Sequence, residues 1–450
     1  MPDYRDSNKS SKFFTLTGSQ TILLGFLMLI LMGTLLLMLP IATKDRSSVG
    51  FTDAFFTATS ASCVTGLIVK DTQSSWSLFG QVVILILIQI GGMGVVTITT
   101  LLSALTGRKI GLLTRSTMQE AVSAPNLGGI VRHMNFIIKG TILLELTGAL
   151  LMAPVFIKAA GPVKGIWYSL FSSISAFCNA GFDLNGSYGS FSSMMPYADN
   201  PVIVLTLFAL ILTGGLGFIT WKDIRDHGLK FRYYSTQSKL IIVCEIILIS
   251  VPFMLLFFLE YGDLPMKQRV LASIFQAITP RTAGFNTTDY NNFSDAGIAM
   301  TIVLMLIGGA PGSTAGGMKI TTVAILLIAT LSAFRREKSP SVFKRRIPLD
   351  IVQSAVAVFT LDLSLALTGA MLISRIESLP IRATLFESAS AVATVGLSLG
   401  ITSGISTISK YLLIVLMFVG RVGGLTLVFA AISRKRSTTG EYPKDHIAIG

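Results

Sequence analysis

Apolar residues fall along the chain in eight long stretches, near residues 21–39, 81–105, 136–157, 201–221, 240–259, 299–334, 351–373 and 411–432. At about 1.5 Å of helical rise per residue, stretches of this length suit a hydrocarbon core about 30 Å thick. Within each successive pair, a shorter amphiphilic segment rich in Ser, Thr and Ala ends in two small or β-branched residues, a glycine, and Leu or Phe. The four cases are Val64-Thr65-Gly66-Leu67, Asn179-Ala180-Gly181-Phe182, Thr282-Ala283-Gly284-Phe285 and Thr394-Val395-Gly396-Leu397. A second glycine cluster follows each one inside the next apolar run: Gly91-Gly92, Gly214-Gly215, Gly308-Gly309 and Gly423-Gly424. Self-similarity at a period of about 110 residues predicts one unit repeated four times.

The first unit shows the local logic. A span ends near Pro40, and a polar turn follows at 43–48. Residues 51–63 are then too short and too hydroxyl-rich to cross a membrane, and after Gly66 the chain returns to a second span at 81–105. This pattern predicts helix, re-entrant helix, extended loop, helix. Non-helical backbone at membrane depth is tolerated only against protein or a water-filled cavity, and four such loops around one axis supply that cavity for each other. The expected fold is therefore an all-α membrane protein of four tandem helix–pore loop–helix repeats. Eight transmembrane helices and four re-entrant pore helices surround one central pore. The expected boundaries are a cytoplasmic segment at 1–14, repeats at 15–110, 111–235, 236–346 and 347–433, and a cytoplasmic tail at 434–450.

Composition agrees. The chain of 450 residues is 51% apolar and 13% charged, with mean hydropathy +0.70, whereas soluble proteins carry roughly 25% charge. The first apolar run is longer than a secretory h-region and no small-residue cleavage site follows it, so it reads as a retained span. The net charge of +13 is explained by topology. With both termini and the inter-repeat loops on one side, those segments hold 22 of the 36 Lys/Arg and 9 of the 23 Asp/Glu. The whole positive excess then lies where the positive-inside rule places it, facing anionic lipid; nucleic acid is not an expected partner. Cys63, Cys178 and Cys244 fit no metal or disulfide spacing. His133, His227 and His446 all fall in loop or terminal segments.

The four tetrads carry the candidate chemistry: Val64, Thr65, Gly66; Asn179, Ala180, Gly181; Thr282, Ala283, Gly284; and Thr394, Val395, Gly396. Glycine admits backbone conformations closed to other residues, so successive carbonyls can converge on an axis and replace a cation's hydration shell. The tetrads hold no carboxylate, which argues against a divalent-cation ring. Negative helix ends facing the cavity would favour cations further. Glycine as mere close packing between membrane helices is the alternative for any single tetrad.

The third unit departs from the others. Its second run is 36 residues long and contains Gly308, Gly309, Ala310, Pro311, Gly312, Ser313, Thr314, Ala315, Gly316 and Gly317. Five glycines and a proline in ten residues break a helix, each Gly costing about 1 kcal/mol and Pro about 3. The loop is expected to act as a gate just cytoplasmic of the filter. Met318-Lys319 follows Gly317, so the order required of a nucleotide-binding P-loop is broken, and no nucleotide site is expected in this chain. Lys319 and Arg421 are charges inside apolar runs, where they usually face a cavity or a partner. Arg421 is expected either to project into the conduction path or to pair with Glu145, Glu245 or Asp362.

The tetrads, the run 279–286, the 308–319 loop and Gly420-Arg421-Val422-Gly423-Gly424 together resemble the Ktr/Trk/HKT potassium transporter superfamily. The resemblance covers about residues 15–435, and the early start of the first repeat favours the membrane subunit of bacterial Ktr systems. It implies K⁺ uptake, possible Na⁺ dependence, a homodimer with one pore per protomer, and a cytosolic ring of RCK-type nucleotide-binding subunits. It also implies a location in the bacterial cell membrane with both termini cytoplasmic. Gly66, where some plant relatives carry Ser, leans toward K⁺. The competing readings are Na⁺ or mixed-cation conduction, a proton-coupled secondary transporter and an intramembrane enzyme. Parallel rather than inverted repeats oppose the transporter reading, and the lack of a membrane-embedded His or Asp dyad opposes the enzyme.

Overall fold

The computed structural model describes residues 17–94 and 130–424. The expected N-terminal segment at 1–14, the whole tail at 434–450 with His446, and the junction of the first two sequence repeats lie outside the described residues. The described chain is almost wholly helical, with one two-stranded hairpin pairing Ser341–Val342 with Arg345–Arg346.

In chain order the helices are α1 Gly18–Leu37, α2 Phe51–Ser62, α3 Leu78–Met93, α4 Ile130–Ala160, α5 Pro162–Phe177, α6 Pro201–Gly215 and α7 Phe218–His227. They continue as α8 Thr236–Leu255, α9 Met266–Ile278, α10 Asp295–Leu306, α11 Ile320–Phe334, α12 Leu349–Glu377, α13 Ile381–Val392 and α14 Thr407–Val422. Each glycine tetrad follows one of the short helices α2, α5, α9 or α13 and precedes an apolar helix. Those apolar helices start on side-chain caps: Ser77, Asn200, Ser294 and Ser406 each accept from a backbone N–H one turn on. Such caps satisfy donors that a helix start would otherwise leave orphaned.

Among the described residues, four helices are long and apolar enough to cross a membrane: Gly18–Leu37, Val131–Ala160, Thr236–Glu260 and Leu349–Glu377. Their outer faces remain apolar and exposed, as at Leu35, Leu143, Leu150, Leu259 and Met371. Where unbroken spans are expected in the first, second and fourth repeats, the helix of the second run instead ends or bends at glycine. α3 ends at Gly94 and α14 at Gly423, both with positive φ (84° and 88°). The run at 201–221 turns through 96° between α6 and α7, at Gly217 with φ 83°. The sequence reading placed a break only in the third repeat. There α10 and α11 do stand apart, joined by the irregular segment 307–319.

Small residues decide how the short helices pack. A Cβ added at Gly148 would lie 2.6 Å from Ser173 Oγ, and one at Gly369 2.4 Å from Ser388 Oγ. In the same contacts Ser173 donates to the Glu145 carbonyl at 2.6 Å and Ser388 to that of Ala366 at 2.9 Å. The short helices α5 and α13 therefore sit backbone-close to α4 and α12. From the other side, a Cβ at Gly91, Gly214 or Gly420 would meet the carbonyl oxygen of Ser62, Phe177 or Val392 at 2.0, 2.1 or 1.9 Å. Those carbonyls belong to the last residues of α2, α5 and α13. Phe56, Phe171, Phe275 and Phe386, at matching places in the short helices, are fully buried and add the van der Waals packing that joins helices in lipid.

This packing corrects the sequence register in the fourth repeat. Gly420, not Gly423, takes the place of Gly91 and Gly214, and Gly423 matches Gly94 and Gly217. Arg421 accordingly stands where the first two repeats have Gly92 and Gly215. Gly91→Ala, Gly214→Ala and Gly420→Ala should each destabilise the protein by about 1–3 kcal/mol through overpacking. Gly50→Ala, with open space at its Cβ, should be near neutral; thermal unfolding in detergent separates the two outcomes.

Candidate functional site: a ring of four glycine turns

Each short helix ends in the same unusual turn. The residue opening each tetrad has a left-handed backbone: Val64 (φ 57°), Asn179 (57°), Thr282 (69°) and Thr394 (51°). Three of these are β-branched, for which positive φ costs on the order of 1–3 kcal/mol and survives only where surrounding contacts enforce it. The glycine two residues on is also at positive φ: 93° at Gly66, 68° at Gly181, 79° at Gly284 and 93° at Gly396.

Hydrogen bonds back to the short helix fix the turn. Thr65, Ala180 and Val395 each donate from N–H, at 2.8 Å, to the carbonyls of Ser60, Ser175 and Ser390. Gly66 and Gly396 N–H donate to the Ser60 and Ser390 hydroxyls at 3.1 and 3.0 Å. These serines stand four residues before each tetrad, a recurrence the sequence displays but which was not singled out. The third turn uses other means. Ala283 N–H reaches the Thr279 carbonyl at 3.0 Å, and the Thr279 hydroxyl donates to the Phe285 carbonyl at 2.6 Å. Leu67, Phe182, Phe285 and Leu397, following the glycines, are at most 1% exposed and anchor each turn in the core.

The four turns close on one another. A Cβ at Gly66 would lie 2.5 Å from the Ala180 carbonyl oxygen, and one at Gly181 would lie 2.9 Å from that of Ala283. At Gly284 the nearest atom would be the Val395 carbonyl oxygen at 2.3 Å, and at Gly396 the Thr65 carbonyl oxygen at 2.2 Å. Every neighbour is backbone, so all twelve tetrad residues named from the sequence belong to one closed ring. All four glycines line a single cavity of about 260 Å³, shared with Asp183, Asn286, Ser398 and Thr402. On the ring's other side, Asn179 Oδ1 and Nδ2, Thr282 Oγ1 and Thr394 Oγ1 are buried without a hydrogen-bond partner. Unpartnered buried polar groups are rare enough to need a cause.

The 308–319 segment lies against one of these groups, Thr394. A Cβ at Gly316 would lie 1.9 Å from Thr394 Oγ1, and one at Gly317 2.7 Å from the Ala393 carbonyl. The segment is pinned throughout. Gly308 N–H donates to Met318 O (2.8 Å), Ile320 N–H to Gly309 O (3.0 Å) and Phe218 N–H to Gly312 O (2.8 Å). Ala310 and Thr314 donate from N–H to Gly215 O and Gly214 O. The Ser313 hydroxyl closes a turn on Ala310 O, and the Thr314 hydroxyl donates to Phe177 O at 2.9 Å. The Pro311 carbonyl lies against Gly217, 2.8 Å from where a Cβ would be.

The intramembrane charges are held mostly by backbone oxygen. Lys319 Nζ donates to the carbonyls of Ala315 (2.8 Å) and Gly316 (3.3 Å). Arg421 donates to Thr314 O (2.7 Å) and to the carbonyls of Gly91 and Gly92. None of the acids named as its candidate partners pairs with it. Glu145 accepts from Gln89 Nε2 at 3.0 Å. Glu245 takes both terminal nitrogens of Arg281, at 2.5 and 2.6 Å. That ion pair, with both side chains at most 5% exposed, was not foreseen; it ties the residue before Thr282 to α8. All three cysteines are free; Cys63 and Cys178 are buried, whereas Cys244, expected to be buried with them, is half-buried.

Apolar helices, a backbone ring and charges satisfied inside the fold define a multi-helix membrane protein. A family model described as TrkH, a cation transport protein, matches residues 1–439. The chain is 37% identical to the potassium/sodium uptake protein NtpJ of Enterococcus hirae, over 97% of this chain and 98% of that protein. It is also 37% identical to Ktr system potassium uptake protein B of Bacillus subtilis, over 98% and 99%. The structure of the potassium transporter TrkH from Vibrio parahaemolyticus matches with a TM-score of 0.74 at 19% identity, covering 96% of this chain and 87% of that one; this likeness concerns the fold. The chain belongs to the TrkH family of cation transport proteins.

Breaking one half of a buried ion pair strands the other charge and costs about 3–5 kcal/mol. Glu245→Ala should therefore lower thermal stability strongly, and the double substitution Glu245→Met with Arg281→Met should recover most of the loss in the same unfolding assay.

Proposed function

We propose that this protein takes up K⁺ across the bacterial cell membrane through a channel-like pore whose filter is the ring of four glycine turns. The observation that carries the reading is the closure of that ring over one cavity, with only backbone between neighbouring turns. Carbonyl oxygens gathered there would replace the hydration shell of a monovalent cation. The unpartnered polar groups of Asn179, Thr282 and Thr394 would then meet the ion and its water below the ring. The names of the relatives, potassium uptake in Ktr system protein B and potassium/sodium uptake in NtpJ, agree with this substrate class.

In this reading the four sequence repeats are helix–pore loop–helix units, with eight spans and four re-entrant helices. Both termini face the cytoplasm, as the basic loops require. The 308–319 segment is the gate, and Arg421 holds it closed through Thr314 while adding positive charge below the ring. The protein works as a homodimer with a cytosolic RCK-type ring, and this chain itself is not an enzyme. The word "system" in the relatives' names fits a separate regulatory component. Sodium passes or modulates as a second cation; the name of NtpJ favours keeping this reading beside the first.

Liposomes holding the purified chain should take up K⁺ and Rb⁺ well above Na⁺. Gly66→Ser, which places a side chain at φ 93° and against the Ala180 carbonyl, should lower that preference by an order of magnitude or more. Equal K⁺ and Na⁺ uptake by the wild-type chain would reassign it to mixed-cation conduction. Deleting residues 311–316 should raise flux in the absence of any cytosolic partner, measured as 86Rb⁺ uptake; unchanged flux would remove the gate from the mechanism.

A further inference from the structure

Three of the four seams between neighbouring repeats are closed by the same kind of contact, and one is not. At these seams the first turn of a short helix meets the start of the apolar helix of the preceding repeat. Asp53, the third residue of α2, takes Lys410 of α14 at 2.9 Å. Arg382, the second residue of α13, pairs with Asp295 of α10 at 2.7 Å. Gln268, the third residue of α9, donates to Asp199, just before α6, at 2.9 Å. Each of these contacts shares one carboxylate across the seam. The remaining seam sets α5 beside α3, and the third residue of α5 is Lys164.

Lys164 lines a cavity of about 780 Å³ together with Lys44, from the loop after α1, and no Asp or Glu lines it. Both lysines are exposed, and neither forms an ion pair among the described residues. The acids close by in sequence or across the seam are engaged elsewhere. Asp45 takes the Ser47 hydroxyl at 2.8 Å, and Asp71 takes the N–H groups of Ser74 and Phe191. The amides of the lining are neutral and already bonded: Trp167 Nε1 donates to Gln81 Oε1 at 2.8 Å, and Gln73 Nε2 donates to the Tyr168 hydroxyl at 2.5 Å. Tyr168 accepts that bond and keeps its own proton to donate. The apolar part of the lining is open, with Leu78, Val163 and Ile166 at 63%, 82% and 56% exposure.

Lys44 and Lys164 follow the ends of α1 and α4, two helices of membrane length, so they stand where hydrocarbon gives way to headgroups. Lysine stems snorkel at that level, and Trp and Tyr favour it. Two cations beside open apolar side chains match a molecule with a negative head and acyl chains. We propose that this crevice binds one anionic phospholipid, its phosphate between Lys44 and Lys164 and its chains along Leu78, Val163 and Ile166. Charge-assisted hydrogen bonds to the phosphate would supply the anion that Asp53, Asp295 and Asp199 supply at the other seams. The lipid would thereby clip the first repeat to the second, at the seam where Gly66 faces the Ala180 carbonyl. The crevice holding Lys158 and Lys267 shows the contrast, because Asp199 lines it. The proposal uses the membrane placement of α1 and α4 and no part of the pore reading.

The test is thermal unfolding of the full chain in neutral detergent at constant ionic strength, with phosphatidylglycerol or phosphatidylcholine titrated into the micelles. Phosphatidylglycerol should raise Tm to a plateau, as a ligand of the folded state does; phosphatidylcholine with the same chains should not. The rise should be lost in Lys44→Gln with Lys164→Gln, and kept in Lys158→Gln with Lys267→Gln. Should the first double variant fail to fold, Lys164→Gln alone is read in its place. It should raise the half-saturating lipid about tenfold, the loss of one charge-assisted hydrogen bond. No plateau, an equal rise with phosphatidylcholine, or a rise that survives without Lys44 and Lys164 would overturn the site. So would the same rise with inorganic phosphate alone, which would mark a free-anion site. A Tm that follows protein concentration and ignores lipid would give the crevice to a second copy of the chain, and would overturn it too.

Discussion

Everything in this fold answers to one steric fact: four backbone turns meet with no room for a side chain between them. Each glycine of the ring faces the carbonyl of the next turn at a distance no Cβ tolerates. The contact is mutual and cyclic, so no turn can take up its position unless the other three do. The strained backbones of Val64, Thr282 and Thr394 can be understood in this light. A single turn in isolation would relax, and closure of the ring is what over-determines it.

The helices then serve as a frame pressed from two sides. The long helices meet the short ones through Gly148–Ser173 and Gly369–Ser388, and the second helices meet their last carbonyls through Gly91, Gly214 and Gly420. Both contacts are backbone-close, which fixes the short helix along its axis as well as around it. In the third repeat the irregular segment 307–319 interrupts the second run, and it meets the fourth turn through Gly316 and Gly317.

Much of this was legible in the sequence. The tetrads announce themselves by repetition, and the density of Gly and Pro at 308–317 leaves no helix possible there. The bend at Gly217 was not legible, because 201–221 reads as one apolar run and hydropathy does not register a positive φ. The register of the fourth repeat was misread for a related reason. Gly423-Gly424 resembles Gly91-Gly92 as text, whereas packing against the Val392 carbonyl selects Gly420. Partners of buried charges were hardest to read. Arg421 chose three carbonyls over any acid, a choice made by which backbone groups the kinks and the loop leave unpaired. Arg281 chose Glu245, 36 residues away.

Arg421 joins three distant stretches of the chain. Its guanidinium spans the 308–319 segment, through Thr314, and the end of α3, through Gly91 and Gly92, while its own backbone belongs to α14. Three parts of the chain that are remote in sequence thus share one hub, and no two of them can separate without leaving a charge short of oxygen. Under the proposed gate, movement of the segment would have to give up the bond from Arg421 to Thr314 as a whole. A segment drawn away from Arg421 would leave the guanidinium with the carbonyls of Gly91 and Gly92 alone, so the same side chain that secures the loop also registers its departure.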